Sequence, residues 1–225
     1  MTSLSQIRPI NLREQVVEQI RTAIIEGRLK PNDHITENIL TEQLGVSRTP
    51  IREALILLER EGLVIAAPNR GCFVRAFTEQ DVSEIFSMRT TLENFAGELI
   101  IHTLTTTDFD YLDSSIQLQK KAIRQGDLKS VRTIDMAFHR YLINKSKHVM
   151  LIRNWEEIVA QIAAVLYLRA EAISDYDESQ SINDHTAIVE AYEHRDFERL
   201  SHLNRQINLR VASECKRGVA YSLLG

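Results

Sequence analysis

Apolar residues recur every three or four positions through the first part of the chain, and the breaks between those runs fall on residues that end helices. In residues 11–26, NLREQVVEQIRTAIIE, the side chains of Leu12, Val16, Ile20 and Ile24 share one helical face, and Gly27 followed by Pro31 closes it. TENILTEQLG predicts a second, shorter helix that starts at Thr36 as capping residue and stops at Gly45. A third runs through SRTPIREALILLEREG. Ser47 is its N-cap, Pro50 sits in the first turn where its missing N–H costs nothing, Ile51, Leu55 and Leu58 point inward, and Gly62 closes it. Two short runs follow, LVIAA and CFVRA, rich in β-branched and aromatic residues and separated by Pro68, Asn69, Arg70 and Gly71. They predict a β-hairpin. Helix, helix, tight turn, helix, hairpin is the order of a winged helix-turn-helix.

After Phe77 there are no further prolines, and six helix-period segments are separated by short polar breaks near residues 105–107, 125–126, 145–147, 174–177 and 194–196. The expected fold class is therefore mostly α: three helices plus a β-hairpin over residues 1–76, then an all-α antiparallel helical bundle over residues 77–225. The joint falls near residues 76–78.

Composition narrows the setting. With 225 residues and 44% hydrophobic content, the chain can bury two cores. No apolar run approaches the roughly 18 residues that cross a bilayer, and no secretion signal is recognisable, so a cytoplasmic protein without a membrane partner is expected. Cys72 and Cys215 lie far apart with no neighbour at metal or redox spacing, which predicts two reduced thiols. The net charge of −4 is unevenly placed. Residues 1–75 carry ten Lys and Arg against nine Asp and Glu, and the remainder seventeen against twenty-two. Such a split suits contact with phosphate through the first domain only.

The chemistry in that domain is concentrated at the start of the third helix. Arg48, Thr49 and Arg52 project away from Ile51 and Leu55, where a recognition helix meets a major groove. Arginine suits bidentate bonds to guanine edges, and the hydroxyls of Ser47 and Thr49 reach phosphate or base. At the hairpin tip, Asn69, Arg70 and Gly71 supply a cation and a close-approach glycine for a neighbouring minor groove or backbone. The expected partner is a double-stranded DNA operator.

In the bundle, three titratable residues stand where apolar ones belong. Asp135 and His139 share a stripe with Val131, Phe138 and Leu142, and His185 shares one with Ile182, Ile188, Val189 and Tyr192. Two imidazoles and a carboxylate from two helices suit a divalent metal such as zinc. Alternatively, Asp135 and His139 form a hydrogen-bonded helical pair while His185 bonds to a carbonyl or water. Arg89 is a further inward charge, on the stripe of Val82, Ile85, Phe86, Leu92 and Ala96, with Glu93 one turn on as its simplest partner. Arg169 ends the stripe of Trp155, Ile158, Val159, Ile162 and Leu166. His34, His102, His148 and His194 receive no assignment.

Residues 15–74 resemble the GntR family of bacterial regulators through Gly27, Pro31, VSRTPIREAL, EGL and RGCFV. The resemblance implies that Ser47, Arg48, Thr49 and Arg52 carry base and phosphate contacts, with Arg70 and Gly71 at the wing tip. A further family contact, often an arginine on the second helix, corresponds here to Asn38. Members bind short palindromes as homodimers. The second half resembles the FCD domain of that family in its shorter, six-helix, vanillate-regulator-like form. A DxxFH motif runs from Asp135 to His139, and DHTAIVEA begins at Asp184.

Metal-holding members add a histidine on the last helix about 22 positions after His185, which falls on Ile207 here; His202 comes five residues too early. The resemblance thus implies three metal ligands, Asp135, His139 and His185, completed by water or effector, or else direct binding of an organic ligand. Arg89, with Arg169 a weaker candidate, then grips the carboxylate of a small organic acid. The expected function is a transcriptional regulator, a repressor, whose operator affinity an effector controls, and not an enzyme. The alternatives are an effector-independent DNA-binding dimer and a metal-dependent enzyme.

Overall fold

The computed structural model describes residues 12–67, 70–173 and 177–222. Of the residues singled out above, Asn11, Pro68, Asn69 and part of the break at 174–177 lie outside them. The chain divides into two compact units, Met1–Ala76 and Phe77–Gly225.

In the first unit, α1 (Leu12–Ile25) buries Val16, Val17, Ile20, Ala23 and Ile24 and packs against α3 (Arg48–Arg60), whose inner face is Ile51, Ala54, Leu55 and Leu58. Arg21 on α1 ties the two helices, its Nε donating to Glu61 Oε2 at 2.8 Å while a second guanidinium nitrogen meets the other oxygen. Between them runs α2 (Glu37–Leu44), ended by Gly45 at φ +65°, a left-handed conformation that suits glycine. Thr36 and Ser47 occupy the N-cap positions of α2 and α3 in extended backbone as expected, but neither side chain makes a cap bond.

The sheet has one strand more than the hairpin predicted. Strands β1 (His34–Ile35), β2 (Val64–Ala67) and β3 (Gly71–Val74) are ordered β1-β3-β2, all antiparallel, with both His34 and Ile65 opposite Phe73. A two-residue strand shows no alternation along the sequence, so β1 emerges only from its pairing.

The second unit is all helical: α4 (Glu79–Ile100), α5 (Thr106–Arg124), α6 (Leu128–Lys145), α7 (Val149–Ala172), α8 (Ser179–Glu193) and α9 (Phe197–Ser222). Their starts are set by local chemistry. Reciprocal capping boxes join Thr78 to Asp81 and Thr105 to Asp108, Asp127 accepts from the Ser130 amide, and His148, left unassigned from sequence, accepts the Leu151 amide on Nδ1 at 3.1 Å. Arg195, at φ +56°, donates to the carbonyls of Ile101 and Leu104 at 2.7 and 2.8 Å and so holds the α4–α5 turn.

Helix α4 packs against α9 and α7, α9 also against α7 and α8, and α5 against α6 and α8, around a core that includes Leu112, Phe138, Tyr192 and Leu200. Both cysteines are free and buried, and burial pushes the Cys215 thiol up to about 12. No described helix is long and apolar enough to cross a membrane.

On α9 the apolar residues Leu200, Leu203, Ile207 and Val211 recur at helical spacing, but the buried face is displaced from them. Leu200, Asn204, Asn208, Val211 and Cys215 are buried, whereas Leu203 and Ile207 are half-buried. The cause is polar: Asn204 donates to Asn94 Oδ1 at 3.0 Å and Asn208 to Glu93 Oε2 at 2.8 Å, so two asparagines take places that periodicity reserves for apolar residues.

Two tests follow from this packing. At Gly218 an added Cβ would lie 2.6 Å from the Arg169 backbone nitrogen, so Gly218→Ala must push α9 away from α7. Overpacking of this kind costs about 1–3 kcal/mol. At about 2–4 °C per kcal/mol for a chain of this size, a fall of roughly 2–12 °C in melting temperature is expected by circular dichroism. Burial works to raise the Asp108 carboxyl, but bonds from Lys145, Tyr141 and Thr105 outweigh it and hold the group well below its usual range. A depressed acid stabilises the fold above its unfolded value and loses that contribution as pH falls. Asp108→Asn should therefore cost about 1–2 kcal/mol at pH 7 in urea unfolding, and the difference from wild type should shrink as the pH falls below about 4.

Candidate functional site

At the start of α3, Ser47, Arg48, Thr49 and Arg52 are all exposed while Ile51 and Leu55 beneath them are buried. Arg52 Nε donates to both carboxylate oxygens of Glu37 on α2 at 2.9 Å, which braces one guanidinium against the preceding helix. Asn38 on α2 is exposed.

The wing is more built than the sequence suggested. Gly71 has φ +92°, and a Cβ there would come within 2.5 Å of His34 Nε2. The His34 ring stacks on Phe73 with centroids 4.8 Å apart, and the exposed Arg70 guanidinium lies 5.9 Å from the same ring. His34, unassigned from sequence, thus supports the wing, and glycine is required at 71 for both conformation and space.

In the second unit, Asp135 and His139 on α6 and His185 on α8 present ligand atoms within 4.8 Å of one another. His185 Nε2 lies 3.3 Å from His139 Nε2 and 3.3 Å from Asp135 Oδ1. The opposite nitrogens are both engaged: His139 Nδ1 is 2.9 Å from Glu93 Oε1, and His185 Nδ1 is 2.9 Å from Gln119 Oε1. The Gln119 amide nitrogen donates to Ser181 Oγ at 3.1 Å, which leaves its oxygen for the imidazole. Burial, and then the Arg89 charge, lower the His139 pKa, so its neutral ring gives its one N–H to Glu93. Each ring thus meets an oxygen acceptor through Nδ1 and turns its Nε2 toward the Asp135 side of the cluster. The His139 partner through Nδ1 is therefore Glu93 on α4, rather than Asp135 one turn before it on α6.

Glu93 is the hub of this arrangement. It is 7% exposed and accepts from Arg89 Nε at 2.8 Å, from His139 Nδ1 and from Asn208 Nδ2. Burial would raise its carboxyl, but Arg89 and then His139 outweigh it, and its pKa is lowered to about 2. The Asp135 carboxyl is likewise held below its ordinary value, His185, His139 and Arg89 together outweighing burial. Phe138 stacks flat on His185 at 4.0 Å and fixes that ring from its face.

The three residues open into a cavity with an empty volume of about 530 Å³, counting the part open to solvent. Arg89, Arg169 and Ile207 line it too, so the predicted effector residues and the expected fourth-ligand position share one space. Arg169 is held by Glu178 at 3.7 Å and Glu214 at 3.4 Å. Glu93 was legible only as a local partner of Arg89, and Gln119, Asn208 and Arg132 were missed. Gln119 carried a signal, since it sits on the buried stripe of Leu112, Ile116 and Ala122 as His139 sits on its own.

With that geometry in hand, comparison with known proteins is decisive. Residues 12–74 match the model of the bacterial regulatory proteins of the gntR family, and residues 84–208 match that of the FCD domain. The chain belongs to the GntR family, in its FCD branch. It is 34% identical over 145 residues to an uncharacterized HTH-type transcriptional regulator of Bacillus subtilis, a match covering 60% of this chain and 65% of that relative, just under two thirds of its length. It is 29% identical over 194 residues to a probable D-xylose utilization operon transcriptional repressor of Paenarthrobacter nicotinovorans, 84% of either chain being covered. The fold is shared with the solved E. coli regulator McbR/YncC, at a TM-score of 0.78 and 24% identity over 96% of this chain and 98% of that one. GntR-family membership makes the chain a DNA-binding transcriptional regulator.

Because Glu93 serves three donors at once, its loss strands a buried guanidinium and frees the His139 ring. Glu93→Ala should cost about 3–5 kcal/mol in urea unfolding.

Proposed function

We propose that this GntR-family regulator is a repressor whose operator affinity is set by a small organic acid bound in the FCD cavity beside a divalent metal such as zinc. The observation that carries the reading is the cluster of both Nε2 atoms and the Asp135 carboxylate, whose ligand atoms lie within 4.8 Å of one another. Zinc–nitrogen bonds of about 2.0–2.1 Å imply ligand–ligand edges of about 3.3–3.4 Å in a tetrahedron. The 3.3 Å spacings at His185 match that edge. His139, His185 and Asp135 would hold the metal, with Glu93 and Gln119 orienting the imidazoles. A bound metal supplies a Lewis-acid position for an oxygen of the effector, and Ile207 leaves that position without a protein ligand.

Residues 1–76 act as the DNA-binding domain. Ser47, Arg48, Thr49 and Arg52 read the major groove, and Asn69, Arg70 and Gly71 reach the backbone or minor groove beside it. Residues 77–225 bind the effector and dimerise, in the six-helix, vanillate-regulator-like form. A homodimer on a palindromic operator is supported by an exposed apolar patch in which Phe95 of α4 rests edge-on against His148 at 5.2 Å, beside Val149 and Met150. Effector binding then changes operator affinity through its different contacts in the two states of the dimer.

Two measurements test this. Full-length protein should take up one zinc per chain by elemental analysis, and His185→Ala should weaken zinc binding by about 100-fold or more while leaving the helical circular dichroism intact. On an operator selected from random palindromes, Arg48→Ala should cost about 1–3 kcal/mol of affinity. Identical operator affinity with and without acids would leave a DNA-binding dimer without a sensor.

A further inference from the structure

Three arginines line the FCD cavity, and two of them are already engaged. Arg89 is buried and gives its Nε to Glu93, while Arg169 is buried between Glu178 and Glu214. Arg132 is different. Among the described residues no hydrogen-bonded ion pair holds it, the Glu178 carboxylate acting on it only through its charge, and its Nε is buried without a hydrogen-bond partner. Its guanidinium carbon sits 5.4 Å from the Tyr167 ring centre. The ring supports the flat face of the guanidinium, so the edge that carries the N–H donors remains for a ligand. Arg132 precedes Asp135 by three residues and His139 by seven on α6, which sets all three on one side of the helix and along one wall of the cavity.

We propose that Arg132 is the anion anchor of this cavity and that the ligand it takes is a small monocarboxylate, an inference that rests on reading the cavity as the effector site. Arg132 offers two parallel donors to the two oxygens of one carboxylate. The count of charges then limits the ligand to one such group. Asp135, Glu178 and Asp184 also line the cavity, and Asp184 is paired with Arg210. The proposed metal takes a neutral oxygen of the same ligand, and a second carboxylate would face these acids with no uncommitted arginine to meet it. The rest of the ligand lies against Val131, Leu166, Ile188 and Ile207, which suits a short carbon chain. Arg132 thus sets selectivity by contact with the ligand, whereas Arg89 positions Glu93 and His139.

The test is calorimetric titration of zinc-loaded, full-length protein with acetate, lactate, gluconate, succinate and glycerol. At least one of the three monocarboxylates should bind, succinate about tenfold more weakly, and glycerol not at all. Arg132→Gln should weaken the bound acid by about 30-fold or more, and Arg132→Lys, which keeps the charge but not the fork, by about five- to tenfold. Both variants should keep the wild-type zinc content and melting curve without acid. Equal affinity in Arg132→Gln and wild type removes Arg132 as anchor. Succinate binding as tightly as the best monocarboxylate, or no acid binding to zinc-loaded protein, removes the ligand class. A wild type that takes up no zinc overturns the metal reading alone. The same ratio of wild-type to Arg132→Gln affinity, measured on the metal-free chain, then decides the role of Arg132.

Discussion

The ion and hydrogen-bond cluster around Glu93 is the constraint on which the second domain depends. A carboxylate removed from water is costly, and three donors from three helices offset that cost here: Arg89 from its own α4, His139 from α6 and Asn208 from α9. The same contacts have a second effect. By accepting the His139 N–H, Glu93 decides which nitrogen of that ring faces the cavity, so the element that holds the helices together also sets the chemistry of the site. Gln119 does the same for His185 from α5. The site's inner wall is therefore as rigid as the packing.

Much of the fold was legible because helical periodicity and capping residues agree. Gly45 and Gly62 end their helices with positive φ where the sequence placed the ends, and the buried face of α4 is the stripe read from Val82 to Ala96. What escaped notice had a common cause. β1 is two residues long, and its pairing partner lies far along the chain, so nothing local marks it. His34 and His148 received no assignment, yet one stacks in the wing and the other caps a helix, roles defined by neighbours distant in sequence or by backbone geometry.

The site shows the same division. Asp135, His139, His185 and Arg89 stood out as titratable groups on apolar stripes, and the fold brings all four to one cavity. Asn208 did not stand out, because an asparagine on a helix is ordinary until a buried carboxylate is found across from it. On α9 that polar pairing outweighed the apolar stripe and turned Ile207 to a half-buried place at the cavity wall. Periodicity counts apolar residues and is blind to a hydrogen bond that rotates a helix by one position.

The glycine at 218 has a consequence for how a filled cavity is felt elsewhere. It lets the backbone of α9 lie directly against the backbone of α7 at Arg169, with no side chain between them to yield. Arg169 sends its side chain into the cavity wall from that same point. Side chains absorb small displacements by changing rotamer, but two touching backbones do not. Any shift of α7 would be passed to α9 as the motion of a rod rather than dissipated, along a helix of 26 residues.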